Sequence, residues 1–348
     1  MVKVVIRVKV NFVREKEIIS KLFLEIPVVN NCYVTHTTDK GFISCIEMDY
    51  GYEFKIFVHV LKSSFPAEVR KLMDELYNVN SNYNMIIAPY ISDETANICK
   101  KFNVGYIDMV GNCLIQYHSF YISVSGKKNK SSKRGLKSIF EKSSTVSSDI
   151  LRYMLENVNH YWKMSDLAEE VGCSIGQVSK VKDFLNKNEW IEVNNNGFRI
   201  NNPESVLKEW SSVYEKKASE VFECYSLDKP SILEKKLQNM KIDCAIDYYL
   251  TGFSGGVRYS PVVRYNKVHV YINSQDVKEA MQYLNCKQVD SGSNISIIIP
   301  YDECVLRYSR IINGDSVVSP VQIYLDSMQL KGRGEELAEA VLLREIRK

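Results

Sequence analysis

One short stretch constrains this chain more than any other. Between Lys127 and Lys142 stand seven basic residues (Lys127, Lys128, Lys130, Lys133, Arg134, Lys137 and Lys142) against one acid, Glu141. Ser131, Ser132, Ser143 and Ser144 accompany them, and apolar periodicity is missing. So polar a segment cannot bury enough surface to offset the ordering of its backbone, and it reads as a linker, 127–143. It separates an N-terminal domain, 1–126, from the rest of the 348 residues, a length that calls for two or three domains. Gly126-Lys127 lacks the earlier glycine and the following Ser/Thr of a phosphate loop.

Charge matters here only through its distribution. The formal net charge is +3, and residues 1–126 and 211–348 are each balanced, with 13 and 18 charges of either sign. The excess therefore lies within 127–210, where the next pattern begins. Hydrophobic residues at 45% rule out wholesale disorder. The nine cysteines are odd in number and nowhere closely paired, and the five histidines are scattered. Neither set has metal-ligand spacing, so we expect reduced thiols, no metal and no cofactor. No apolar run is long enough to span a membrane, and Val2–Val10, with Lys3, Arg7 and Lys9 among valines, reads as a strand and not as a signal sequence. We expect a cytoplasmic protein.

From Ser148 onward the apolar residues fall at helical spacing: Ile150, Leu151, Met154, Leu155 and Val158. A second helix follows with Ser165 as its N-cap and Leu167 and Val171 inward, closed by Gly172. Ser174 caps a third, 175–188, whose inward residues are Ile175, Val178, Val181 and Leu185. Asn194-Asn195-Asn196-Gly197 then turns a hairpin. Three helices and a hairpin over 144–214 are the order of a winged helix-turn-helix, in which the third helix enters the major groove of double-stranded DNA. Its outward residues would be Gly176, Gln177, Lys180 and Lys182, with Ser174 at a phosphate. Glutamine suits an adenine edge and lysine a guanine or a phosphate. The basic residues from Lys127 onward would anchor the backbone. A domain used for protein contacts competes with this reading, because Asp166, Glu169, Glu170, Asp183, Glu189 and Glu192 dilute the positive charge.

In the N-terminal domain a helix near 16–26 precedes strands 41–48 and 52–61, a helix from Pro66, a strand at 85–88, a helix 92–102 and a strand 105–109. This order is similar to the PD-(D/E)xK restriction-endonuclease fold. The resemblance puts Lys62 at the motif's lysine, but Val60 stands where the acid belongs, and valine offers a hard cation no oxygen. We expect the fold without cleavage; were there a nuclease, Asp49 and Lys62 would carry it. Asp108, before a glycine turn, reads as a turn-stabilising carboxylate.

Residues 215–348 alternate helices and strands after a helix 205–222. Thr251-Gly252-Phe253-Ser254-Gly255-Gly256 resembles the phosphate-gripping turn of nucleotidyltransferases, yet the neighbouring strand 264–271 has no paired acids for metal. We expect an inactive nucleotidyltransferase-like domain.

Val171–Val181, Asn202–Trp210, Tyr106–Asn112, Thr251–Ser254 and Gln322–Asp326 together resemble prokaryotic winged-helix proteins grouped with the abortive-infection type IV antitoxins. The resemblance implies a mixed α/β multidomain regulator. It also implies a DNA-reading role for Ser174, Gln177 and Lys180, and a C-terminal domain that opposes a nucleotidyltransferase-like toxin. A symmetric DNA site would call for a homodimer, though no heptad marks a dimerisation helix.

Overall fold

A computed structural model of the chain describes residues 11–77, 83–117, 120–127, 139–140, 145–214 and 220–347. The strand expected at 2–10 lies outside them. The chain forms two compact units, residues 1–135 with 187–189 and residues 136–186 with 190–348.

The first unit begins with helix α1 (Val13–Leu24), followed by a meander of β1 (Val29–Thr37), β2 (Gly41–Met48) and β3 (Glu53–Val60). Helix α2 (Pro66–Tyr77), β4 (Tyr83–Ala88), α3 (Asp93–Lys101) and β5 (Gly105–Asp108) come next, then β6 (Cys113–Tyr117) and β7 (Phe120–Val124). The seven strands lie in chain order. β1, β2 and β3 pair antiparallel, β3, β4 and β5 run parallel, and β6 and β7 turn back. Alternation along β4 builds two cores: Met85 and Ile87 face Ile19 and Phe23 of α1, while Ile86 faces Val69 and Met73 of α2 and Cys99 of α3. Gly41 has no alternative, because a Cβ there would fall 2.0 Å from the Val58 carbonyl oxygen.

The second unit opens with α4 (Thr145–Glu156), α5 (Met164–Val171) and α6 (Ile175–Lys187), then the hairpin β8 (Ile191–Asn194) and β9 (Gly197–Ile200), then α7 (Pro203–Val213). A seven-stranded mixed sheet follows, built from β10 (Val221–Tyr225), β11 (Tyr248–Thr251), β12 (Val268–Ile272), β13 (Lys287–Gln288), β14 (Ile295–Ile298), β15 (Arg310–Ile312) and β16 (Asp315–Val317). Its order is β13-β10-β14-β12-β11-β16-β15. The helices are α8 (Pro230–Asp243), α9 (Gly252–Tyr259), α10 (Val277–Tyr283), α11 (Pro320–Ser327) and α12 (Gly334–Val341), the last continuing into a wider turn, Leu342–Ile346. α11 is buried at every position. Its Ile323 joins the core beneath the sheet, and Val321, Tyr324 and Leu325 join the core of the three helices and the hairpin.

Several expectations are corrected. The helix expected over 205–222 stops at Val213, and Val221–Tyr225 is a strand instead, its β-branched and aromatic side chains pairing with β14. Ser165 does not cap α5: the cap position is Lys163, and the Ser165 hydroxyl donates to Asp166 within the first turn. Ile175 does not face inward but is 52% exposed.

Candidate nucleic-acid interface

The turn between α5 and α6 is set by two caps. Gly172 takes φ 71°, its N–H donating to the Glu169 carbonyl and that of Cys173 to the Ala168 carbonyl. This paired closure of a helix end needs the left-handed conformation that glycine adopts without strain. At the start of α6, the Ser174 hydroxyl accepts from the Gln177 N–H at 3.4 Å, while the Gln177 Oε1 accepts from the Ser174 N–H at 2.9 Å and from its hydroxyl at 3.0 Å. The pair is a capping box.

That box changes the expected roles. Ser174 and Gly176 are exposed as anticipated, and so is Lys180, one turn beyond Gly176. Gln177 is half-buried, and the amide oxygen that an adenine would need already serves the cap. Lys182 leans back, its ammonium 5.2 Å from the centre of the Phe198 ring, and so braces the hairpin. The exposed residues of the first turns of α6 are therefore Ile175, Gly176, Lys180 and Asp183.

The hairpin is held by Trp162, whose backbone pairs with that of Phe198 in an isolated antiparallel bridge. Gly197, at φ 135°, leaves room for this: a Cβ would fall 2.2 Å from the Trp162 carbonyl oxygen. Arg199 is not free for phosphate. Its guanidinium pairs with Glu192 at 3.0 Å and lies 4.8 Å from the Tyr161 ring centre, and the Tyr161 hydroxyl and Arg199 hold the Glu192 carboxyl below its ordinary range.

Lys127 belongs to the first unit. Its N–H donates to the Asn112 side chain and its carbonyl accepts from it, both at 2.9 Å. Lys128, Lys130, Lys133 and Arg134 lie outside the described residues.

Sequence reasoning missed a seam of buried charge behind the interface. Asp149, Arg152 and Glu156 share one face of α4, spaced three and four apart, and that face is sealed. Arg307 pairs with Asp149, and Arg310 joins Glu156 at 2.6 Å to Glu345 at 3.1 Å. Arg152 is fully buried and packs over the Trp210 ring at 5.1 Å. Burial pushes the Asp149 and Glu156 carboxyls up, against the opposing pull of Arg307 and Arg310. The only sequence signal was the spacing itself, which usually marks a solvated face.

The two other segments singled out in the sequence are placed as follows. Asp49 follows the end of β2 and Lys62 the end of β3, but these strands run antiparallel, with Glu47 opposite Glu53 and Gly41 opposite His59. The two residues lie at opposite ends of the ladder, on the order of 30 Å apart by strand rise, and cannot share a cation. Asp108 is saturated by the N–H groups of Ile91, Val110, Gly111 and Asn112 and by the Asn112 amide. Among the described residues no group of three or more His, Cys, Asp or Glu could hold a metal ion. In the segment Thr251–Gly256 the hydroxyls are engaged internally: Thr251 donates to Asp326 at 2.5 Å, and Ser254 is closed between the backbones of Thr251 and His269. Its glycines admit neighbours, Gly256 lying where a Cβ would collide with Leu337. Asp326 also accepts from Tyr271 and Gln322, and Gln322 donates on to Tyr214.

No described helix is long and apolar enough to cross a membrane. No curated protein and no solved structure matches the chain. Residues 199–347, under half of the chain and beginning inside the hairpin, match a family model described as a transcriptional regulator, the AbiEi antitoxin of type IV toxin–antitoxin systems.

Proposed function

We propose that the protein is a DNA-binding transcriptional regulator of antitoxin type, acting in the cytoplasm without catalysis or cofactor. Residues 145–200 act as a winged helix-turn-helix, α6 lies in a major groove of double-stranded DNA, and the hairpin flanks the backbone. The observation that carries this reading is the exposed Lys180 on the open side of α6, set in a helix that is basic over its whole length while its neighbour α5 is acidic. Helix α6 holds Lys180, Lys182 and Lys187 against Asp183, while α5 holds Asp166, Glu169 and Glu170 and no base. A polyanion is drawn to the α6 side and repelled from α5. The regulator description of the family matched by residues 199–347 supports the same reading. Of the residues expected to touch DNA, Ser174, Gly176 and Lys180 keep direct roles, and Gln177 acts through the cap. A symmetric operator would bring two copies together as a homodimer.

Selection of bound sequences from a random duplex pool, followed by a salt titration on the enriched site, tests the proposal. We expect enrichment and an affinity that falls steeply as salt rises. No enrichment, or affinity indifferent to salt, would count against it.

A second reading is favoured by the position of the family match, which covers α7 and the sheet module. Residues 220–347 then neutralise a nucleotidyltransferase-like toxin by direct contact. Co-purification with the product of a neighbouring gene of that class supports it; a toxin that elutes alone argues the other way. The N-terminal unit, with its antiparallel meander leading into parallel strands, serves as a restriction-endonuclease-like scaffold without cleavage chemistry.

A further inference from the structure

The leading residue of α6 is an anomaly within its own helix. Isoleucine is among the side chains most often buried, yet Ile175 is 52% exposed. At 100° per residue it falls about 90° from the centre of the buried stripe formed by Val178, Val181 and Leu185. It therefore stands at the edge of the stripe, about 40° from Ser179 and about 140° from Lys180, and its exposure puts it on the solvent side of that edge. The surface beside it is open: a Cβ built on Gly176 would meet only the Ser174 hydroxyl, at 3.9 Å. Gln177, the natural reader of adenine on this helix, has its carbonyl oxygen tied into the cap.

A solvent-facing branched apolar side chain at the tip of a groove-entering helix has one apolar group to meet there. Of the four bases, only thymine displays a methyl in the major groove. We infer that Ile175 is a specificity-determining residue that packs against the 5-methyl group of a thymine in the bound duplex. The inference rests on the DNA-binding reading above and deepens it, by naming a contact that sets base preference where Gln177 does not. Lys180, exposed further along α6, supplies the polar partner, a guanine edge or a phosphate. Val193 is as exposed, at 53%, but lies on β8 in the hairpin, which in this arrangement runs beside the backbone and not the base edges.

The test replaces each thymine of the enriched site in turn with deoxyuridine, which removes the methyl group and leaves pairing intact. With the full chain, one such replacement lowers affinity about fourfold, the worth of one buried methyl-sized group. Ile175→Ala binds the thymine and deoxyuridine duplexes equally, while Val193→Ala retains the discrimination. Because Ile175 lies outside the core, Ile175→Ala keeps the wild-type melting temperature, and a change in base preference cannot then be a folding defect. If no replacement matters, or if Ile175→Ala still discriminates, the assignment of Ile175 is overturned while DNA binding stands. If no duplex is bound at all, both readings fall.

Discussion

Helices α4 and α6 are alike in length and apolar pattern and opposites in the fold. They have 12 and 13 residues, and each shows one apolar stripe at helical spacing. In α4, however, seven residues are buried, among them Asp149 and Arg152, whereas α6 buries only Val178, Val181 and Leu185. The difference comes from what packs behind them. α4 is enclosed by α11, the turn before β15 and the hairpin, and its charges meet Arg307 and Arg310 there. α6 turns Val178, Val181 and Leu185 inward and leaves Ile175, Gly176, Lys180 and Asp183 exposed. A charged face thus means attachment in one helix and availability in the other, and a helical stripe alone cannot distinguish them.

The comparison breaks most visibly if the α4 seam is cut. Arg310→Met leaves Glu156 buried beside Glu345 without a cation. We expect a loss of about 2 kcal/mol in unfolding free energy, below the usual cost of breaking a buried pair because Arg310 is itself 39% exposed. Denaturant unfolding of the full chain measures it. The pH dependence sharpens the point. Burial raises the Glu156 carboxyl, so its contribution to stability is present at low pH and lost as pH rises through the folded-state value. Arg310 opposes that rise, so in Arg310→Met the loss moves to higher pH and the defect shrinks on acidification. A defect equal at pH 5 and pH 8 would show that Glu156 is not the group left stranded.

Cutting the α6 cap costs less. Ser174→Ala removes one half of the box and should destabilise by about 1 kcal/mol, with Gln177→Ala adding little once it is made. Fully additive losses would mean that the two side chains do not act as a unit.

What was legible in the sequence follows the same division. Strands Gly41–Met48 and Val268–Ile272 announce themselves through runs rich in β-branched and apolar residues, and Gly172 through the closure it must make. β1 did not, because it is an edge strand with exposed Asn30, Asn31 and Thr35 and register breaks at 29/31 and 34/36, which spoil the alternation. Three residues of the candidate interface were legible from spacing alone: Ser174, Gly176 and Lys180. Ile175 was not, since the i, i+3 rule assigns it to the stripe, whereas in the fold it lies at the stripe's edge and is exposed. Gln177 was named for its chemistry, and only coordinates show that the cap uses it. That Asp49 and Lys62 sit at opposite ends of the ladder was not legible, because local order does not tell which end each residue occupies.

The finest separation is between Lys180 and Lys182, two lysines that sequence alone treats as equivalent. Lys182 lies over Phe198, so Lys182→Ala should cost about 0.5 kcal/mol of stability through the lost ring contact and change DNA affinity only secondarily. Lys180 is exposed, so Lys180→Ala should leave the melting temperature unchanged. If Lys180 meets a phosphate, its loss weakens binding uniformly across sequences and reduces the slope of log affinity against log salt by about 1. If it meets guanine, the loss falls at one position of the enriched site, with a smaller effect on slope. Equal behaviour of the two variants in both assays would dissolve the distinction between the bracing and the reading side of α6, and with it the geometry on which the major-groove assignment depends.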